Sequence, residues 1–277
     1  MVDLDAPIHQ VPIVIVDVET TGLSPYGGDR VCELAILRCV NREPVDAFLR
    51  LIDPQRPMSH GAYAVHRISD QMLAGQPAFG EVVQEVLEVL SEAVLVGHNL
   101  AFDLGFLDAE LGRVGQSLPP FVGLDTLRLA RRCYSLRRYG LGALSEALGL
   151  SIGGRSHRAM ADVLLTRMVF ERLLDDLAGK GPLSARHLQA LQGGRIHERQ
   201  PACLPVPPII RQALANNTAL WLRYRSDRGI ESERTVTPVR IAIVGGAPTM
   251  IAECHLRQEL RSFRLDRIIA VDVAPEE

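Results

Sequence analysis

The sequence predicts an α/β domain, a mixed sheet flanked by helices, followed by a smaller all-β domain. Three observations carry this expectation. Strand patterns come first, at 11–22, 31–40 and 44–52, and strand and helix patterns then alternate as far as Leu177; that order builds a mixed sheet with helical cover. Glycine and proline interrupt the alternation from Ala178 to Pro208. Beyond that break, short apolar runs separated by turns follow one helix, the pattern of a small barrel. A chain of 277 residues is long enough for this division. The expected domains are 1–177 and 209–277, with 178–208 as linker.

Val11 to Gly22 is a nearly continuous apolar strand that carries Asp17 and Glu19. Alternation along a strand puts both acids on one face. Two like charges on a buried strand repel and are costly to desolvate unless something neutralises them. A divalent cation would do so; an edge strand with its acids in water is the other reading. Gly22 is expected to take a turn that other residues resist. Ser24 to Asp29 reads as a turn, and Val31 to Val40 and Pro44 to Ile52 as strands of an antiparallel meander with the first.

Ser69 is the expected N-cap of a short helix. Phe79 to Leu90 places Val82, Val83, Val86, Leu87 and Leu90 on one helical face. A short strand, Ala93 to Gly97, ends in His98-Asn99 and leads into a helix through Leu111. Helical patterns follow at 124–130, 141–148 and 159–177, with a further short one near 187–191. In the second part a helix is expected at 209–216, with strands at 219–225, 234–238, 239–244, 250–256 and 260–265.

Two other blocks offer metal ligands. Asp103 stands in the first turn of a helix just after a strand end. His157 precedes a helix that contains Asp162, five residues further on, and is better placed on the preceding loop. Taken singly, each is as readily a dipole partner, a helix cap or an ordinary polar residue. Taken in order, Asp17-x-Glu19, Asp103 and His157-x4-Asp162 form a set. DVETTGL at 17–23, HNLAFDLGFL at 98–107 and SHRAMAD at 156–162, supported by VHRIS at 65–69 and LDTLRLAR at 124–131, resemble the DEDDh family of 3′–5′ exonucleases, of the proofreading epsilon-subunit type. The resemblance covers about 11–177 and implies a ribonuclease-H-like fold.

It also implies that Asp17, Glu19, Asp103 and Asp162 bind metal and that His157 is the general base. The chemistry of these residues agrees. Carboxylate oxygens favour Mg²⁺ or Mn²⁺ over zinc. Four acids suffice for two ions about 4 Å apart, a pair that stabilises the attacking and leaving oxygens of a phosphodiester. Histidine titrates near neutrality and suits proton abstraction from water. By the same resemblance, Thr20, Thr21, Gly22 and Leu23 meet the terminal nucleotide, with His98, Asn99 and Phe102 lining its pocket and Phe102 stacking; structural roles compete closely for all of these. His66 reads as a packed or capping residue. Arg128, Arg131, Arg132, Arg137 and Arg138 read either as a track for a phosphate backbone or as a solvated helix face.

Ala219 to Arg225, Arg234 to Pro238, Ile251 to Leu256 and Arg261 to Ile268 resemble a WYL domain, in its family an Sm-like barrel that is usually regulatory. Thr249-Met250-Ile251 stands where Trp-Tyr-Leu is expected, a departure at the tripeptide for which the family is named. Arg223, Arg225, Arg240, Arg261, Arg264 and Arg267 form either an anion site for a nucleotide or single strand, or internal salt bridges with acids such as Glu253, Glu259 and Asp266.

Composition excludes several other classes. The five cysteines are scattered with no CxxC pair, against a disulfide framework or a cysteine zinc site. No secretory pattern opens the sequence, and no apolar run approaches the roughly 20 residues that span a bilayer; a cytoplasmic location without membrane contact is the expectation. A net charge of −3 gives no overall basic field, which leaves local nucleic-acid sites open. The expected substrate is a 3′ end of single-stranded DNA, or of RNA including short RNA, in proofreading, repair or trimming. The alternative is a nucleic-acid-binding sensor with a vestigial nuclease fold, which the intact acid set disfavours.

Overall fold

The computed structural model describes residues 2–152, 158–180, 183–196, 206–226, 229–244, 247–257 and 259–274. It separates into two compact units, Met1–Leu23 with Asp29–Arg199, and Ser24–Gly28 with Gln200–Glu277. In the first unit, β1 (Ile13–Thr20), β2 (Val31–Val40) and β3 (Glu43–Leu51) form the expected antiparallel meander. Then come α1 (His60–His66), α2 (Asp70–Leu73), α3 (Phe79–Leu90), β4 (Val94–Gly97) and α4 (Ala101–Arg113). They are followed by β5 (Val122–Asp125), α5 (Thr126–Cys133), α6 (Leu141–Ala147), α7 (Ala159–Leu177) and α8 (Ala185–Leu191). The sheet order is β3-β2-β1-β4-β5, with β4 parallel to both β1 and β5.

The two faces of β1 explain where its acids point. Val14, Val16 and Val18 join a core with residues of α3 and α4, including Phe79, Val86, Leu104 and Phe106. Ile13 and Ile15 join the opposite core with Val163, Val169 and Phe170 of α7. Strand periodicity continues the Ile13–Ile15 stripe into Asp17 and Glu19. The acids therefore stand on the α7 side, where the apolar stripe gives way to carboxylates.

Several elements differ from the sequence expectation. Residues 60–66, which carry no strong periodic signal, form a helix capped by Ser59, whose Oγ accepts from the Ala62 N–H at 3.2 Å. Residues 122–125 form a strand, not the start of a helix; its parallel pairing with β4 decides this, and Asp125 then caps α5. The composition-based linker is partly folded. Ala185 and Leu188 of α8 are buried in the first unit's core, and the Ile8 N–H donates to the Leu183 carbonyl at 2.8 Å.

The second unit contains α9 (Pro208–Asn216), β6 (Leu220–Arg225), β7 (Glu231–Val244), β8 (Ala247–Cys254), β9 (Glu259–Arg264) and β10 (Ile268–Val273). They form an open antiparallel sheet in the order β10-β6-β7-β8-β9. Where two strands were expected at 234–238 and 239–244 there is one, with a register shift between Pro238 and Arg240 that accommodates the missing proline N–H. Leu220, Leu222, Val236, Met250, Ala252 and Phe263 pack with Ile210 and Ala213 of α9 as a separate core.

Candidate metal centre and its surroundings

Asp17, Glu19 and Asp162 offer carboxylate oxygens that lie within 4.8 Å of one another. The first two come from the end of β1 and the third from the first turn of α7. Asp103 reaches the same region from the first turn of α4: its Oδ1 accepts the Val18 N–H at 3.1 Å, and the side chain is buried. Crowding like charges at the edge of two cores has the expected electrostatic result. Burial, reinforced by Asp103, Asp162 and Glu19, pushes the Asp17 carboxyl well above its ordinary range. Burial likewise raises Asp103. Glu19 is pushed up to about 8 by burial and by the Asp162 and Glu33 charges, with Arg158 opposing. Such a set favours either protons or a hard cation. The donors fit a divalent metal: they are carboxylate oxygens that converge from three elements, with no thiolate among them.

His157, the expected base, lies outside the described residues. Its neighbour Arg158 does not, and it leads to a further acid of the site. Glu33 of β2 stands directly across from Glu19 in the sheet and is almost fully buried. Its carboxylate accepts from Nε of Arg158 and, at 2.9 Å, from the N–H of Ala159. A strand carboxylate thus caps α7, satisfying an orphan amide and meeting the positive end of the helix. The signal was present in the sequence: a glutamate inside the apolar run Val31–Val40, and an arginine next to His157.

The expected nucleotide-binding residues have unequal surroundings. Thr20 and Thr21 are buried and largely occupied locally: Thr20 Oγ1 donates to the Gly22 carbonyl at 2.6 Å, and Thr21 Oγ1 accepts the Arg30 N–H at 3.0 Å. Gly22 resists replacement for a steric reason and not a left-handed backbone. Glycine is needed there because a Cβ would overlap the Asp29 carboxylate. That carboxylate is held by Arg56 at 3.0 Å. Leu23 is 83% exposed, a large apolar side chain in water. The β1–β2 register shifts between Glu19 and Thr20, with Cys32 as the extra residue on β2. His66 is buried; its Nδ1 accepts the Ile68 N–H at 3.0 Å, which leaves Nε2 to donate to the Thr20 carbonyl at 3.2 Å. Burial lowers its pKa, consistent with a neutral ring bracing the Thr20 segment.

His98 is committed to the protein itself. Its Nε2 lies 2.8 Å from the Tyr139 carbonyl and its Nδ1 2.9 Å from Thr126 Oγ1, and burial lowers its pKa. Asn99 is exposed, takes φ 65° and donates its backbone N–H to Asp125 Oδ1 at 3.0 Å. Phe102 is half-buried against Phe106, with ring centroids 5.0 Å apart.

In the second unit the arginines lean toward pairing. Arg225 bonds Glu231 at 2.8 Å and Arg264 bonds Asp266 at 2.7 Å, while Arg261 approaches Glu259 at 3.6 Å. Arg223 is exposed and faces Glu233 across the β6–β7 pair. The side chain of Arg240 lies outside the described residues. Arg225 and Arg267 line an open hollow of about 420 Å³ with Asp266 and Ile268. Thr249 and Met250 are buried, so at the position of the naming tripeptide two of the three residues serve the core.

Among the described residues, no helix is long and apolar enough to cross a membrane. The exonuclease family pattern matches residues 14–170, and the WYL domain pattern matches residues 205–273. A DNA polymerase III subunit epsilon-like protein of Rhodobacter capsulatus is 36% identical over 181 residues, 64% of this chain and 26% of that protein. The DNA polymerase III subunit epsilon of Pasteurella multocida is 32% identical over 179 residues, 61% of this chain and 70% of that protein. The chain thus spans about a quarter of the first of these relatives. Exonuclease X, solved in complex with 5′-overhanging duplex DNA, superposes with a TM-score of 0.52 at 26% identity, over 65% of this chain and 99% of its own. The mixed α/β fold with flanking helices is the one expected from the ribonuclease-H-like resemblance. A family pattern covering more than half of the sequence, on a fold shared with a solved exonuclease, places this chain in the exonuclease family, with a WYL domain following the nuclease domain.

Proposed function

We propose that this chain is a divalent-metal-dependent 3′–5′ exonuclease of the DEDDh type. In this reading it hydrolyses the terminal phosphodiester of single-stranded nucleic acid, DNA in preference to RNA, and releases nucleoside monophosphates. The observation that carries the reading is the convergence of the Asp17, Glu19 and Asp162 oxygens within 4.8 Å, with Asp103 beside them.

Asp17, Glu19, Asp103 and Asp162 would hold two Mg²⁺ or Mn²⁺ ions. Bound there, the ions would polarise the scissile phosphate and make the attacking water more acidic. His157 takes the proton from that water. Arg158, fixed to Glu33, anchors the start of α7 immediately after His157 in the sequence. The strand end receives the terminal nucleotide: the Thr20–Gly22 backbone lies against it and the exposed Leu23 side chain wedges beside its base. Asn99 and Phe102 border the same cleft, with Phe102 as the ring on which a base stacks. His98 serves the pocket indirectly, by holding the corner that positions them.

For the second unit, the strand order β10-β6-β7-β8-β9, with the last strand beside the first, supports an Sm-like curl of the sheet. Arg223, exposed on β6, is its best candidate for an anionic ligand such as a nucleotide or single strand, and Arg267 lines the hollow beside Ile268. The pairs made by Arg225, Arg261 and Arg264 favour a structural role for those three.

The test is incubation of the purified chain with matched 20-nucleotide DNA and RNA strands under Mg²⁺ and under Mn²⁺. Progressive shortening, faster on DNA, is the expected result. Intact 3′ ends on both strands under both metals would sink the reading.

A further inference from the structure

An open hollow of about 360 Å³ lies between α5 and the end of α8, lined by Arg128, Arg131, Arg132, Gln192 and Gly193. The three arginines stand at i, i+3 and i+4, hence on one face of the helix. Their charges are poorly compensated. Arg128 Nε is 3.8 Å from Asp125, beyond hydrogen-bond range, and that carboxylate already accepts the Asn99 and Leu127 N–H groups. Arg131 lies 5.8 Å from the centre of the Tyr139 ring, which orients it without neutralising it. Among the described residues, neither Arg131 nor Arg132 has a carboxylate within 4.0 Å. One acid therefore faces three guanidinium groups, and the excess suits at least two phosphate charges.

The opposite wall is rigid. Gln192 is buried; its Oε1 accepts the Asp125 N–H at 2.8 Å, and its Nε2 donates to the Gly123 and Gly194 carbonyls at 3.0 Å. Gly193, at φ 93°, turns the chain beside Arg132 without a side chain to fill the hollow. The hollow is also tied to the acidic cleft. Thr126, at the start of the same helix, contacts His98, and Asp125 holds Asn99, just ahead of the turn of α4 that carries Asp103. At 1.5 Å per residue, Arg128 to Arg132 stand roughly 3 to 9 Å along the axis from Thr126.

We propose that this hollow is a subsite for the phosphate backbone of a single nucleic-acid strand whose 3′ end lies in the acidic cleft. The path of the strand rests on the exonuclease reading; the anion site itself does not. The subsite binds phosphodiesters by charge and carries no base preference, so it lengthens the footprint on the strand without choosing its sequence.

The experiment measures binding of a fluorescent 20-nucleotide oligothymidylate to the full chain in EDTA, where hydrolysis cannot interfere, over a range of salt concentrations. Arg131→Gln/Arg132→Gln should weaken binding by on the order of tenfold near 0.1 M salt and reduce the salt slope by about 1.4, two phosphate contacts at about 0.7 each. Arg131→Lys/Arg132→Lys should keep the slope, and Arg50→Gln on the exposed face of β3 should change neither quantity. Under Mg²⁺, hydrolysis of the p-nitrophenyl ester of thymidine 5′-monophosphate, too small to reach the hollow, should be unaffected by the glutamine pair. Unchanged affinity and slope in the glutamine pair would overturn the proposal. So would a parallel loss of small-ester hydrolysis and thermal stability, which would mark the arginines as structural. Strand binding of the expected form with no hydrolysis by the wild type would leave the subsite standing and remove the exonuclease reading.

Discussion

Glu19→Gln offers a direct reading of the strain in the acidic cluster. In the folded, metal-free protein the Glu19 carboxyl titrates at about 8, against an ordinary value of 4.5. A group raised in this way is protonated in the native state where it is ionised in the unfolded chain. The native state is thus favoured below pH 4.5, and that advantage is lost as pH rises toward 8. At about 1.4 kcal/mol per pH unit the full span approaches ~5 kcal/mol; the side chain is partly open to water, so ~2 kcal/mol is the better figure. Asp17 and Asp103 are raised as well and act with the same sign. His66 and His98, lowered by burial, act oppositely below about pH 6.5, but they do so in wild type and variant alike and cancel in the comparison. Without metal at pH 8, Glu19→Gln should melt higher than wild type by about 4–8 °C. At pH 5, where the native carboxyl is protonated and nearly isosteric with the amide, the two should coincide. Adding 5 mM Mn²⁺ at pH 8 should raise the wild-type midpoint and leave the variant nearly unmoved. Equal midpoints at pH 8 in EDTA, or an equal response to Mn²⁺, would refute the view that repelling carboxylates await a cation.

Other consequences are more local. Asp17→Asn should lower hydrolysis of single strands by on the order of 10³-fold, measured with the fold verified by circular dichroism. His157→Ala should cost about 10²–10⁴-fold while leaving Mn²⁺ stabilisation intact, since the proposed base is not a ligand; loss of the metal response in a thermal melt would reassign it. Glu33→Gln removes the charge that caps α7 and holds Arg158, and should reduce kcat about 10–100-fold with little change in KM. A change confined to KM would place Glu33 with the substrate instead. Gly22→Ala should destabilise the protein by ~1–3 kcal/mol in denaturant titration, because its methyl group must displace an Asp29 carboxylate already held by Arg56.

Much of the nuclease domain could be read from local pattern. Alternation in β1 reported the shared face of Asp17 and Glu19, and helical spacing reported α3 and α7, because each pattern is imposed by one dominant core face. What was missed is non-local in its stability: β5 is four residues long and is defined by pairing with β4. α8 was legible as a short helix near 187–191 within a Gly/Pro-rich stretch, and burial of Ala185 and Leu188 extends it back to Ala185. The acids of the site were legible as an ordered set of blocks. Glu33 stood out as an acid in an apolar run, but its role was not legible, since that depends on Arg158, 125 residues away, meeting it at the start of α7. His98 shows the converse: its sequence position suggested a pocket residue, yet both its ring nitrogens are taken by Thr126 and Tyr139. In the WYL domain the arginines were visible, and Glu259 and Asp266 with them as partners, but Glu231 became apparent only once β6 paired with β7.

The central claim is directional hydrolysis at a carboxylate-bound metal site, and one measurement addresses it: the time course of a 5′-labelled single strand with Mn²⁺, run beside the same strand carrying a 3′-terminal phosphorothioate linkage. The account predicts a ladder that shortens one nucleotide at a time on the plain strand, nucleoside 5′-monophosphate as the released product, and marked slowing at the modified end. Release of the labelled 5′ nucleotide first, or internal cuts indifferent to the 3′ modification, would contradict it.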